Sequence, residues 1–350
     1  MPVQVPLLLL IFTRTENHAR RRSQRKAWLR RSWTRGEVSR AEAPSLAEPD
    51  AKVAWRYVYV QGRRNSTPAS PLDALVGDTV TLSAVFESYD NLVYKTLEAL
   101  RWALAHVPFG TLLKTDDDSI VHVGRVAAWL SSAVPPRALG ALYAGRVFRD
   151  SQIIRANFSR ADLFHAEWFP ADFVKWAVPY ETYARGPYYP PYCSGGGYLL
   201  GAAAARHLVA AYDAHVASAK PVVHVEDAFV GILAHAAALA PTDAADYMQD
   251  PPVGAPHTPA LYTGRMLVHR VHDMAAAYEW ITHPVRVHYR AVAERAVADR
   301  GTRPVRTSVP ATHARLGLTA GSKGGRATGR ANRTKARRAY RPTKDTRRTL

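Results

Sequence analysis

In Leu112-Leu113-Lys114-Thr115-Asp116-Asp117-Asp118-Ser119, a short apolar stretch runs directly into three consecutive carboxylates. Three like charges side by side repel one another unless something neutralises them. A hard divalent cation would do so, because Mg2+ and Mn2+ favour carboxylate oxygen and keep positions open for water or a substrate phosphate. The setting points the same way, since ligands of open α/β sheets bind beyond the carboxyl ends of strands. Acids capping a helix N-terminus would look identical in sequence and need no metal. The triplet alone does not choose between the two.

Two other stretches carry chemistry. Tyr189-Pro190-Pro191-Tyr192-Cys193-Ser194-Gly195-Gly196-Gly197-Tyr198 joins rigid prolines and stacking aromatics to three glycines that let a ligand approach the backbone closely. Such a surface suits the face of a sugar. The plainer reading is a turn ahead of a strand at 198–201, although a turn rarely needs three glycines in a row. Further on, Val225-Glu226-Asp227-Ala228-Phe229-Val230-Gly231 sets two acids before an apolar helix. They are either helix caps, or one of them is a catalytic base.

For these groups to meet, the chain between them must form a scaffold with its strand ends gathered. Short apolar runs at 5–12, 53–60, 79–86, 111–115 and 143–148 predict interior strands. Leu92, Leu97, Leu100 and Leu104 recur at helical spacing, and 91–106, 123–130 and 202–219 are predicted helices. Strand alternating with helix predicts an α/β fold around a mainly parallel sheet. Residues 36–52, with Pro44, Pro49 and no period, are expected to form a surface loop. There is no internal repeat.

Composition bounds the rest. With 350 residues, 47% hydrophobic and 22% charged, the chain is of the soluble globular class, and fibrous or disordered classes are excluded for its bulk. Cys193 is the only cysteine, so neither an internal disulfide nor a cysteine-based zinc site can form. The longest apolar run, residues 5–12 with Pro6 inside it, falls far short of the ~20 residues of a membrane-spanning helix. It also lacks the charged start and cleavage site of a signal peptide and reads as a buried first strand; no transmembrane segment is expected. The net charge is +18, but residues 301–350 hold 14 Lys and Arg against one acid, Asp345, and so account for +13 of it. That end has almost nothing to fill a core and is expected to be a disordered basic tail. Either it meets an anionic partner, nucleic acid or membrane, or it is a solvated appendage.

Taken together, the motifs resemble the inverting β-1,3-glycosyltransferase family that includes the β-1,3-galactosyltransferases and β-1,3-N-acetylglucosaminyltransferases. The likeness covers most of residues 5–283. It starts at Leu7 to Phe12 with Asn17, Arg20, Arg21, Arg25 and Trp28, and continues through Gly77-Asp78, Ser88-Tyr89-Asp90-Asn91-Leu92 and Lys95-Thr96-Leu97. The acid triplet, the glycine segment and Glu226-Asp227 follow, and Leu267-Val268-His269-Arg270 with Met274 and Trp280 ends it.

The resemblance implies a GT-A fold, a Rossmann-like nucleotide-sugar-binding sheet with flanking helices, over residues 1–290, with the basic tail at 291–350. It implies transfer of a sugar, galactose first and N-acetylglucosamine as the alternative, from a UDP-sugar to a hydroxyl of a glycan, glycoprotein or glycolipid acceptor. Mn2+ or Mg2+ would be held by Asp118 and His269. Asp116 and Asp117 would lie near the ribose and sugar, and Arg20, Arg21, Arg25, Lys114, Gly195 and Gly196 near the donor. Asp227 would be the base, with Glu226 orienting the site or taking that role itself. Family members work in the Golgi lumen behind a membrane anchor, and such an anchor is not visible in this sequence. A second reading is an inactive domain whose basic tail does the binding.

Overall fold

The run Val5–Phe12 forms strand β1 and alternates its side chains between two cores: Leu8, Leu10 and Phe12 enter one, Leu7, Leu9 and Ile11 the other. A strand at the centre of a sheet covered on both faces needs apolar residues at every position, which explains the unbroken run. Each fully buried leucine contributes about 1.5–3 kcal/mol. The structure is a computed structural model that describes residues 5–29, 55–64, 73–164, 166, 169–251 and 254–282.

After β1 come helix α1 (His18–Ala27), β2 (Trp55–Arg63), β3 (Ala74–Val76), β4 (Thr79–Phe86), α2 (Leu92–His106), β5 (Phe109–Asp116), β6 (Ile120–Val121), α3 (Val123–Ser132) and β7 (Tyr143–Phe148). Then follow β8 (Tyr192–Gly201), α4 (Ala202–Ala217), α5 (Glu226–Ala236), β9 (Thr242–Asp243), β10 (Met248–Gln249), α6 (Pro259–Tyr262), β11 (Leu267–Val268) and α7 (Met274–Thr282). The main sheet has the order β3-β4-β2-β1-β5-β8-β7-β9. Helices α2, α4 and α5 cover one face; α3 and α7 cover the other. The predicted α/β class, a sheet with flanking helices, is therefore what the chain adopts.

Two expectations need correction. The sheet is mixed, because β8 runs antiparallel to both β5 and β7 and β3 is antiparallel to β4. The glycine segment is no turn but the first half of β8, held in register with β5 from Thr115 opposite Gly197 to Thr111 opposite Gly201. A second, three-stranded sheet, β10-β11-β6, went unpredicted. No described helix is long and apolar enough to cross a membrane. The predicted loop at 36–52 and the basic tail lie outside the described residues.

Candidate active site

The aspartate triplet sits where β5 ends. The Asp117 amide donates to the Phe12 carbonyl at 2.9 Å and that of Ser119 to Asp116 O at 3.1 Å, so the chain turns tightly there and enters β6. β6 pairs antiparallel with β11, and the Val271 amide donates to Asp118 O at 2.7 Å. This small sheet carries His269, one residue past β11, to the triplet. His269 Nε2 stands 3.2 Å from Asp118 Oδ1 and 3.6 Å from Asp116 Oδ2. Ligand atoms of all three residues lie within 4.8 Å of one another. Asp118 Oδ1 is buried without a hydrogen-bond partner. An unpartnered buried carboxylate oxygen beside an imidazole and a second carboxylate fits a divalent cation, and mixed oxygen and nitrogen donors suit Mn2+.

β10 runs parallel to β11 and delivers Asp250 to the other side of the same ring. Asp250 Oδ1 is 3.0 Å from His269 Nδ1 and 2.8 Å from Arg270, while its Oδ2 accepts from Ser194 Oγ at 2.5 Å. A ring that donates from Nδ1 to Asp250 turns its Nε2 lone pair toward the triplet, as a metal ligand must. Burial favours a neutral His269, but the carboxylates of Asp118 and Asp250 on either side of the ring carry it the other way, up to about 10. Asp250 is held down to about 2 against its own burial, chiefly by His269 and also by Arg270 and Ser194. Arg270 reaches it from a left-handed backbone position, φ 59°, at a cost of about 1–2 kcal/mol.

The residues expected around the donor divide into two groups. Arg20 is 54% exposed and bridges Asp117 (3.1 Å) and Asp118 (3.3 Å), which leaves it surface to offer an anion. Asp117 turns inward: its oxygens accept from Thr13 at 2.6 Å, from Asn17 at 2.8 Å and from Arg20. Asn17 spends its side chain on this bond instead of capping α1. Arg21 is buried and grips Thr13 Oγ1 and the carbonyls of Arg14 and Thr15. Arg25 forms a two-pronged pair with Asp78, at 2.7 and 2.6 Å. Asp117 thus ties α1 to the end of β5, Arg21 ties it to the chain just after β1, and Arg25 ties it to Asp78 at the start of β4.

On the opposite face of β8 lies the second acidic pair, in the first turn of α5, where the positive end of the helix dipole favours carboxylates. Glu226 is 5% exposed; its Oε1 accepts from Thr96 at 2.8 Å and from Tyr198 at 2.9 Å. Asp227 accepts from the Gly195 and Ala228 amides, both at 2.9 Å. Burial and then the Glu226 charge push Asp227 up to about 7, against the pull of those amides and of Lys114. Lys114 joins the two clusters, donating to Asp116 at 3.0 Å and Gly195 O at 2.7 Å with Glu226 Oε2 at 3.8 Å. Its neighbours' negative charge keeps it protonated in spite of burial.

The glycines make room for the site itself. A Cβ on Gly195 would meet Asp227 Oδ2 at 3.2 Å, one on Gly196 the His269 ring at 2.5 Å, and one on Gly197 Leu267 at 2.4 Å. The space that the sequence had reserved for a ligand is filled by protein side chains at Gly195 and Gly196. The pairing of β8 with β7 is irregular here, and α5 packs into one core of the sheet while β11 packs into the other. Hence Asp227 and His269 approach β8 from opposite faces at adjacent residues.

Residues 19–245, well over half the chain, match the protein family described as Galactosyltransferase. The chain belongs to this family. Human beta-1,3-galactosyltransferase 4 is 32% identical over 67% of the chain and 62% of its own length. Human acetylgalactosaminyl-O-glycosyl-glycoprotein beta-1,3-N-acetylglucosaminyltransferase is 30% identical over 85% of the chain and 69% of its own length. Mouse N-acetyllactosaminide beta-1,3-N-acetylglucosaminyltransferase 4 is 28% identical, covering 78% and 69% respectively. The chain therefore spans about two thirds of the length of these relatives. In this galactosyltransferase-family chain the functional residue that sequence reasoning missed is Asp250. An Asp-Pro-Pro sequence reads as a loop, and only the pairing of β10 with β11 gives it a histidine to hold.

Proposed function

We propose that the chain is a metal-dependent, inverting glycosyltransferase that moves a hexose from a UDP-sugar to an acceptor hydroxyl and forms a β-1,3 bond. The observation that carries this reading is that the Asp116–Asp118–His269 cluster, with its unpartnered Asp118 oxygen, and the Asp227 carboxylate meet β8 at the adjacent residues Gly196 and Gly195. Asp118 and His269, with Asp116, would hold Mn2+ or Mg2+. When bound, the ion supplies Lewis-acid stabilisation of the charge that develops on a departing diphosphate, worth several kcal/mol.

The chain's own residues do the rest. Arg20 offers its exposed guanidinium to the donor's phosphates. Asp227 accepts the proton of the attacking hydroxyl; a base titrating near 7 is matched to neutral pH. Lys114 and the two amides steady the charge around it, and Glu226, fastened by Thr96 and Tyr198, holds the first turn of α5. The displacement is taken to be single, which needs no side-chain nucleophile and inverts the anomeric centre. Galactose is the donor the family description favours, and the two N-acetylglucosaminyltransferase relatives support N-acetylglucosamine as the alternative. The reading carries with it a Golgi compartment and a glycan acceptor on protein or lipid. The test is UDP release and product mass from a donor-by-acceptor screen with and without Mn2+. Transfer from UDP-galactose or UDP-N-acetylglucosamine that stops with chelator is expected; no turnover of any UDP-sugar would overturn the reading.

A further inference from the structure

Between β7 and β8 the chain makes a long excursion with its own small core of Ile154, Leu163 and Phe173. Its short helical turn Phe173–Trp176 is pinned at two points that flank the Glu226–Asp227 pair. The Lys175 carbonyl is 2.8 Å from His224 Nε2, two residues before Glu226. Trp176 Nε1 donates to the Tyr89 hydroxyl, and Tyr89 lies in the turn before α2, seven residues ahead of the Thr96 that holds Glu226. Tyr89 is nonetheless 45% exposed, and Trp176 is half-buried. Lys175 Nζ stands 5.7 Å from the Tyr89 ring and 5.2 Å from that of Trp176, and pairs with Asp172 at 3.1 Å.

We propose that Tyr89 and Trp176 form an aromatic platform on which the acceptor saccharide lies while Asp227 takes its proton. The proposal rests on the glycosyltransferase reading above and adds the acceptor side of that site. Single displacement brings the hydroxyl to the sugar carbon from the side opposite the leaving diphosphate. The cation cluster reaches β8 from one face and Asp227 from the other, which leaves the acceptor on the side of Asp227, α2 and the excursion. Trp176 also packs beside Phe169 on the small core of the excursion, yet both hydrogen-bonded rings keep open surface, and apolar ring faces beside a cation match a pyranose, with its C–H face and its rim of hydroxyls.

The experiment uses the full chain with UDP and Mn2+, and N-acetyllactosamine and benzyl α-N-acetylgalactosaminide as saccharide probes. Calorimetric titration gives saccharide affinity, and a parallel titration gives UDP affinity. Tyr89→Ala and Trp176→Ala should each weaken the bound saccharide about ten-fold, and raise its KM in transfer by as much, with UDP affinity held within two-fold. Tyr89→Phe keeps the ring and should stay within about three-fold; Tyr89→Leu replaces Tyr89→Ala if the latter does not fold. Variants that melt with the wild type yet keep saccharide affinity within two-fold overturn the platform, as does a wild type that binds UDP and neither saccharide. A wild type that neither binds UDP nor turns over a UDP-sugar overturns the glycosyltransferase reading instead.

Discussion

Asp227 binds its proton more tightly in the folded chain, near pH 7, than an unfolded aspartate does, near 4. Between those values an unfolded chain has released the proton that the folded chain still holds, so rising pH costs stability, and the ionisation that would create the base follows near pH 7. Activity and stability therefore move in opposite directions with pH. We expect kcat/KM to climb about ten-fold per unit below pH 7 and to level off above it, and Asp227→Asn to lose about 10²–10⁴-fold in transfer. In urea denaturation, Asp227→Asn should gain about 2–3 kcal/mol on the wild type between pH 5 and pH 8. A parallel shift of both proteins would contradict the assignment. Asp250 offers a second check, because it holds His269 without touching the cation site: Asp250→Asn should weaken Mn2+ binding about 10- to 100-fold by calorimetry. At this scale Asp118, Asp227 and His269 were legible as parts of a resemblance. The roles of Asp117, Arg21 and Arg25 were not, because a charge written in sequence does not say whether a neighbour or a ligand will satisfy it.

Helix α2 fastens both halves of the site through consecutive residues. Lys95 is buried, donates to the Thr13 carbonyl at 2.7 Å and pairs with Glu87 at 3.0 and 2.9 Å, and Thr13 in turn holds Asp117. Thr96, next in the chain, holds Glu226. Thr96→Val keeps the shape and strips that bond, so it should cost about 1.5–3 kcal/mol in urea denaturation and lower kcat more than it changes donor KM. Helical periodicity placed α2 correctly, but a period cannot reveal that its inward face carries a lysine and a threonine with work to do. The long strands were readable from their apolar runs, and β1, β4 and β7 begin and end where expected. β8 was obscured by Pro190, Pro191 and the glycines, and β6, β10 and β11 are too short to show any alternation. Those short strands nonetheless carry His269 and Asp250 into place.

Across the whole described fold, one sheet with two covered faces separates the His269 side from the Asp227 side, and Lys114 connects them through the end of the strand. The excess of positive charge was legible from composition, and most of it lies at 301–350, beyond the described residues. Donor binding is predicted to need only residues before 291 and no part of the basic tail. That Asp118 and His269 hold an ion serving the donor's diphosphate is tested most directly by calorimetric titration of UDP. The wild type should bind UDP with Mn2+ and lose it with chelator, Asp118→Ala should lose it in both conditions, and the chain lacking 291–350 should match the wild type. UDP binding of equal strength without metal, or retained in Asp118→Ala, would contradict the claim.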